Sequence, residues 1–144
     1  MSEESPLSFR PRRGRILPLT MGGIALALTG VVAVLMGSTG WKPGDQLMLV
    51  TLGLLMFALM WRYASIRADA TPDGLRVRNL MLSRTVPWTE IERIRFQDGD
   101  PWVSLDLAEG DALAVMAIQR ADGERGREQA RRLADLIRSR RQAI

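Results

Sequence analysis

The pattern of apolar and polar residues changes at about Tyr63. Before it lie two long uncharged apolar runs, and after it come short segments in which apolar and charged residues alternate. A helix needs about 20 apolar residues to cross a bilayer, so the first run predicts a span at 16–37. The second run is shorter and predicts a span at 46–62 if the Arg62 side chain extends toward the headgroups. Together they predict a transmembrane helical hairpin over residues 16–62.

Two other interpretations of the apolar runs remain open. A soluble protein can bury an apolar hairpin, but a chain of 144 residues has little other mass to cover two such helices. An arginine-rich start before an apolar run is also typical of a secretory signal. Here the run is long for a signal, and residues 38–40 form a poor cleavage sequence. We therefore favour the membrane hairpin.

Arginine flanks both outer ends of the hairpin, whereas the connecting loop holds only Lys42 opposed by Asp45. The positive-inside rule then predicts a multi-pass protein of the plasma membrane with both termini in the cytoplasm. Residues 1–15 are rich in Ser, Glu, Pro and Arg and predict a disordered basic tail. The flanking arginines are Arg10, Arg12, Arg13 and Arg15 on one side, and Arg62 and Arg67 on the other.

Small residues recur at every fourth position of the first span, a spacing that allows close approach of helices in lipid. One interpretation is that these residues pack within the hairpin. The more specific one is that they dock the protein as an accessory subunit of a membrane envelope complex. Neither span holds an ionisable residue, so an ion path has no support. The candidate packing residues are Ala25, Thr29, Ala33 and Gly37, with Gly53 as their contact in the second span.

Residues 63–144 predict a second, α+β domain of about six short strands closed by one helix. Thr71–Gly74 forms a turn with Pro at its second position and Gly at its fourth, and similar turn sequences follow. A C-terminal helix is predicted at 124–141 by one apolar stripe of Ala130, Leu133, Ala134 and Ile137. The strands between the turns predict a small antiparallel barrel or sandwich.

Composition narrows the chemistry. The chain has no cysteine and no histidine, which removes thiolate chemistry, the commonest general base and the commonest metal ligand. No nucleophile motif and no phosphate-binding glycine loop is present, so we expect no enzyme, metal or cofactor. The net charge of +4 suits an anionic inner leaflet, and nucleic-acid binding has little support because the basic C-terminal helix lacks aromatic residues.

Several short motifs resemble one family. They are Arg10-Pro11 before the first span, Asp73 to Asn79 in the first hairpin, Val86-Pro87-Trp88-Thr89-Glu90-Ile91, Asp100-Pro101-Trp102, and Ala117 to Gly123 before the last helix. The chain resembles the bacterial pleckstrin-homology-like (PH) domain of small actinobacterial two-helix membrane proteins known as low molecular weight protein antigens. The resemblance covers nearly the whole chain, and the structural motif of Pro87, Trp88, Ile91 and Trp102 is its most specific part.

The resemblance implies a partly open β-barrel plugged by the terminal helix, and it does not imply phosphoinositide binding. We expect a non-enzymatic interaction or scaffold module that binds a protein partner at the cytoplasmic face. The alternative is anionic-lipid sensing by an arginine-rich face and the terminal helix. Candidate lipid or partner contacts are Arg76, Arg78, Arg93, Arg95, Arg131 and Arg138.

Overall fold

The computed structural model describes residues 7–11 and 13–144, the side chain of Arg13 excepted. The chain divides into two compact units. One is the helical hairpin, residues 13–65, and the other combines the N-terminal segment with residues 66–144. The hairpin is thus inserted into the chain of an α+β unit, between that unit's first and second strands.

The hairpin consists of α1 (Arg13–Met36) and α2 (Pro43–Ala64), joined by a short 3₁₀ turn at Gly37–Thr39. At 1.5 Å rise per residue these helices are about 36 and 33 Å long, enough to cross a hydrocarbon core of about 30 Å. Only 11% of the most apolar stretch of the first helix and 6% of that of the second is buried. A soluble core helix would be mostly buried, so the hairpin indicates membrane association.

The α+β unit contains two antiparallel sheets and a terminal helix. Sheet A has the order β1-β2-β3-β4, and sheet B has the order β5-β6-β7. The sheets do not close into a barrel, as the expectation of a partly open structure requires. The strands are β1 Ser8–Phe9, β2 Arg67–Ala70, β3 Gly74–Arg78, β4 Ser83–Pro87, β5 Ile91–Arg95, β6 Trp102–Leu107 and β7 Ala112–Gln119, and the helix is α3 Glu124–Gln142.

Strict alternation decides which side of each strand is buried. Leu75 and Val77 on β3 have no more than 1% of their surface exposed, while Arg76 between them is exposed. On β6, Val103 and Leu105 are likewise buried and Ser104 is not. Because β3 and β2 contact β7, the apolar sides of the two sheets share one core.

Two polar side chains connect parts of this core. The Asn79 Nδ2 donates to the carbonyl of Ala114 at 2.7 Å, and the Met116 N–H donates to Asn79 Oδ1 at 3.2 Å. These bonds satisfy the amide inside the core and tie the end of β3 to β7. Trp88 is 2% exposed and its Nε1 donates to the Thr71 carbonyl at 3.0 Å.

The terminal helix packs with the predicted stripe. Ala130, Leu133 and Ile137 are between 0% and 8% exposed, and Ala134 is half-buried. Gly126 is required where the helix begins, because a Cβ there would collide with the backbone carbonyl of Gln119. The helix therefore contributes its apolar stripe to the common core.

Several boundaries differ from the sequence-based predictions. The first helix begins at Arg13, within the predicted tail, and the second begins at Pro43, before the predicted start at 46. The second domain was expected to begin at Tyr63, but α2 continues to Ala64 and the first strand after it begins at Arg67.

The disordered tail was expected to include Ser8 and Phe9, yet these residues pair with β2, and Phe9 is 4% exposed. Burial of the Phe9 ring and backbone pairing with β2 order this segment, although the residues around it are mostly polar. Residues 1–6 and Arg12 lie outside the described residues.

Candidate functional site

A cleft of ≈ 540 Å³ runs between the outer edge of β5 and the C-terminal half of α3. In sheet B, β5 pairs with β6 on one side, and no described strand pairs with its other side. An unpaired strand edge presents backbone N–H and C=O groups to an incoming chain. The cleft is lined by Glu92, Arg93, Ile94, Ala134, Ile137, Arg138, Arg141 and Gln142.

The cleft has an apolar floor and a mostly basic rim. Half-buried Ile94 and Ala134, with Ile137 at 7% exposure, supply the floor. Arg93 and Arg138 lie on the rim; Arg138 contacts Asp135 on its own helix at 3.6 Å. Both of those side chains are more than 70% exposed, so solvent screens that ion pair strongly.

Local irregularity of β5 shapes the edge. The pairing of β5 with β6 shifts register between Ile91 and Arg93, which marks a β-bulge. A bulge bends the strand and interrupts its ladder. At this point the Arg141 Nη1 of the helix donates to the carbonyl of Glu92 at 3.3 Å. One backbone carbonyl of β5 thus already accepts a hydrogen bond from the exposed Arg141 side chain.

The predicted basic residues do not form one face. Arg76 and Arg78 project from the outer side of sheet A, since Val77 between them points into the core. Arg93 and Arg95 are in register with Asp106 and Ser104 on the outer side of sheet B. The shared core separates these two sides.

The arginines also differ in their partners. Arg95 pairs with Asp106 at 3.3 Å, whereas Arg76, Arg78 and Arg93 form no ion pair with the part of the chain that the structure describes. Arg131 is exposed on α3 and is not among the residues that line the cleft. Of the predicted contacts, Arg93 and Arg138 are therefore the two that the cleft brings together.

The predicted structural motif lies at the junction of the two sheets. Trp88 begins a 3₁₀ turn that connects β4 to β5, and Ile91 after it is fully buried. Pro87 is exposed at the end of β4, and Trp102 is half-buried at the start of β6. These positions make the motif part of the fold and not of the cleft.

The small residues of the hairpin lie between its helices. A Cβ added to Gly53 would come within 3.1 Å of the Thr29 Cβ, and Ala33 is 6% exposed. A Cβ at Gly37 would meet the Gln46 side chain at 2.6 Å. Ala25 is half-buried on the same helix. This arrangement favours packing within the hairpin over docking to another protein.

Sequence reasoning selected single arginines and missed the cleft. Within residues 7–11 and 13–144, no three His, Cys, Asp or Glu side chains group as a metal site would require. Glu92, Ile94, Ala134 and Arg141 were not predicted as contacts, although the apolar positions were visible as strand and helix stripes. The sequence does not show that β5 and α3 lie next to each other.

Comparison with known proteins agrees with this fold. The bacterial PH domain family matches residues 65–136. Uncharacterized proteins of Mycobacterium bovis and Mycobacterium tuberculosis are each 35% identical over 105 residues, which is 71% of this chain and 68% of each relative. No solved structure matches the chain at a significant level. The chain belongs to the bacterial PH domain family, which confirms the resemblance predicted from its motifs.

Proposed function

We propose that this protein is a non-enzymatic interaction module, anchored in the plasma membrane by its hairpin and exposed to the cytoplasm. In this proposal its PH-like unit binds an extended segment of a protein partner along β5, in the cleft beside α3. Members of the PH family are generally non-catalytic, which supports a binding role. The observation that carries the proposal is the outer edge of β5, which no described strand pairs, next to a cleft with an apolar floor.

The mode of binding follows from the strand edge. An extended peptide that adds to a sheet gains main-chain hydrogen bonds from the edge and specificity from pockets for alternate side chains. Ile94 and Ile137 offer an apolar surface for every second side chain of such a peptide. Displacing the exposed Arg141 side chain from Glu92 frees one carbonyl for that pairing.

Charge defines the class of partner. The residues that line the cleft include Arg93, Arg138 and Arg141 and one carboxylate, Glu92, and Asp135 beside the cleft pairs with Arg138. Arginine binds carboxylates through charge-assisted and often bidentate hydrogen bonds. We therefore expect a segment that alternates apolar and acidic residues.

Chain connectivity supports the proposed membrane topology. Ser8 and Phe9 precede the hairpin and Arg67–Ala70 follows it, yet these segments pair as β1 and β2 of one sheet. Both ends of the hairpin must then lie on one side of any membrane that it crosses. The positive-inside rule, applied to the flanking arginines, supports the cytoplasm as that side.

Site-specific photo-crosslinking of the full-length chain in host membranes tests the proposal. A photoreactive residue replaces Ile94 in the cleft, and a second version carries it at Thr85 on sheet A as the positional control. We expect a discrete protein adduct only from position 94, with the crosslink mapped to an acidic, extended segment of the partner. Absence of an adduct at position 94, or equal labelling from position 85, contradicts the proposal.

Matched charge reversals sharpen this test. The pair Arg93→Glu and Arg138→Glu changes the cleft, while Arg76→Glu and Arg132→Glu changes net charge equally outside it. The cleft pair is expected to reduce the adduct at least about tenfold, which corresponds to about 1.4 kcal/mol. Equal reduction by both pairs would show that general charge and not the cleft recruits the partner.

A further inference from the structure

The turn between β3 and β4 exposes apolar side chains at its tip. Met81 is 88% exposed and Leu82 is 52% exposed, and Leu80 beside them is partly exposed. The Asn79 N–H donates to the Leu82 carbonyl at 2.8 Å, which closes the turn and fixes the tip. Turn positions usually hold Gly, Asn, Asp, Ser or Pro. Three consecutive apolar residues at a tip therefore need an explanation other than turn formation.

Strand register places this tip at one particular end of sheet A. Arg67, the first residue of β2, is in register with Arg78, the last residue of β3. The same end holds Phe9, which pairs with Ala68 and is the last residue of β1. The chain therefore leaves sheet A for α1, and returns to it from α2, at the end that carries the Leu80–Leu82 tip.

The connection at this end is short. Only Ser65 and Ile66 separate the end of α2 from the start of β2. Three Cα–Cα steps of 3.8 Å span at most about 11 Å. Trp61 and Arg62 near the end of α2 are residue types that lie at the headgroup level of a bilayer. If the hairpin crosses a membrane, the start of β2 is held close to its surface.

A row of arginines accompanies the apolar tip. Arg67 and Arg78 are cross-strand neighbours, and continuing the register of β1 by one residue places Arg10 beside Arg67. Like charges directly opposite each other destabilise a sheet. Asp69 compensates Arg67 at 3.0 Å, while Arg78 forms no ion pair with any described residue. An anionic surface would compensate the rest of the row.

The opposite end of sheet A carries no arginine among the described residues, and in place of three consecutive apolar residues it exposes the isolated Leu7, at 51%. It carries the Thr71–Gly74 turn, whose exposed residues are Pro72 and Asp73. Asp73 would be repelled by anionic headgroups, and neither residue gains much from an apolar environment. The two ends of sheet A thus differ in charge and in exposed apolar surface, the two properties that favour contact with an anionic lipid surface.

We propose that the Leu80–Leu82 tip inserts into the headgroup region of the anionic leaflet that the hairpin crosses. Arg10, Arg67 and Arg78 lie behind it and bind lipid phosphates. The inference rests on the membrane anchoring in the proposed function and adds a second lipid contact, which orients the PH-like unit. With sheet A held in this way, the β5 cleft is presented to the cytoplasm in one orientation.

The absence of cysteine from the sequence allows a direct test. Met81→Cys, Asp73→Cys and Leu28→Cys are made separately in the full-length chain, labelled with an environment-sensitive fluorophore, and reconstituted in vesicles with or without phosphatidylglycerol. Lipids carrying a spin label near the headgroup or deep in the acyl chain serve as quenchers. Leu28 is 60% exposed at mid-helix and reports the hairpin itself.

We expect shallow quenching at position 81 in vesicles that contain phosphatidylglycerol, at least about threefold above that at position 73, and deep quenching at position 28. Adding Arg78→Gln should lower quenching at position 81. Deep quenching at 28 with none at 81 overturns the tip contact and leaves the hairpin anchor intact. Equal quenching at 81 and 73, or a blue shift at 81 without quenching, as when a second protein covers the tip, also overturns it. Absence of quenching at 28 overturns the anchor and the tip contact together.

Discussion

The three long helices of this protein differ in how their apolar residues are arranged. In α1 and α2 apolar side chains surround the axis, and most remain exposed to the surroundings of the chain. In α3 they form a single stripe, with Leu133 fully buried and arginines covering the rest. A helix that is apolar all round requires an apolar environment, whereas a striped helix requires one packing surface and water.

This difference indicates that different interactions stabilise the two units. The PH-like unit depends on burying apolar area away from water, while the hairpin in lipid gains little from that effect and depends on close packing. Damage to one unit should therefore leave the other intact. Hydrogen exchange with mass spectrometry on the full-length chain in lipid nanodiscs reports both units at once, because peptides from each can be read separately.

Trp88→Ala should have the largest effect. It removes a side chain that is 2% exposed together with its bond to the Thr71 carbonyl. We expect a loss of about 3–5 kcal/mol from the free energy of unfolding of the PH-like unit. Amide protection should fall in the strands and persist in α1 and α2. Half-buried Trp102→Ala is the control and should cost clearly less; loss of protection in both units would contradict their independence.

Leu54→Asp is the corresponding test of the hairpin. Leu54 lies near the middle of α2 and is 52% exposed. A carboxylate at the centre of a spanning helix costs about 2.5–3.5 kcal/mol of insertion free energy. We expect the variant to be released by alkaline carbonate extraction, with Leu54→Ala retained in the membrane. Retention of the aspartate variant would show that this position does not face lipid.

Phe9→Ala tests whether β1 belongs to the PH-like unit although the hairpin separates it in sequence. Phe9 is 4% exposed, and we expect its truncation to cost about 3 kcal/mol of unfolding free energy in that unit. Leu7→Ala, at a position 51% exposed, should change it by less than about 0.5 kcal/mol. Equal, small effects in both variants would show that β1 does not stabilise the PH-like unit and would support the sequence-based prediction of a disordered tail.

Gly53→Leu should open the hairpin. A side chain at this position meets Thr29 and Leu26 of α1, whereas nothing lies within 4 Å of a Cβ added at Gly30. Overpacking costs about 1–3 kcal/mol, so amide protection in α1 and α2 should fall for Gly53→Leu and not for Gly30→Leu. Equal amide protection of α1 and α2 in the two variants would show that close packing at Gly53 does not hold the helices together.

Arg132→Ala should have the smallest effect. Its ion pair with Glu128 is 2.6 Å long, but both side chains are more than half exposed. Exposed helix pairs contribute about 0.3–0.5 kcal/mol, so amide protection in the PH-like unit should barely change. A loss above about 1 kcal/mol would show that the arginines of α3 stabilise the fold and are not only a solvated surface.

Much of the fold followed from local patterns. The antiparallel strands between the turns were predicted because their alternation marks a buried side, and the stripe of α3 was predicted from Ala130 to Ile137. The strand β1 was missed because a pair of residues carries no periodicity of its own. Its signal is the register with β2, which is a contact across the inserted hairpin.

The candidate site was predictable only in part. Arg93 and Arg138 were named as contacts, but so were Arg76, Arg78, Arg95 and Arg131, which lie elsewhere. A sequence shows which side chains are charged and exposed, and it does not show which of them share a surface.

The sequence by itself determined the element types, the two apolar helices, the buried side of most strands and the family, because each depends on residues close together along the chain or on short motifs. Only the tertiary structure decided three features. The strand β1 pairs with β2 although the hairpin separates them in sequence, and no described strand pairs with the outer edge of β5 beside α3. The Leu80–Leu82 tip lies at the end of sheet A where the hairpin is attached. These are pairings between distant residues, and their free energy comes from packing and register that no local pattern encodes.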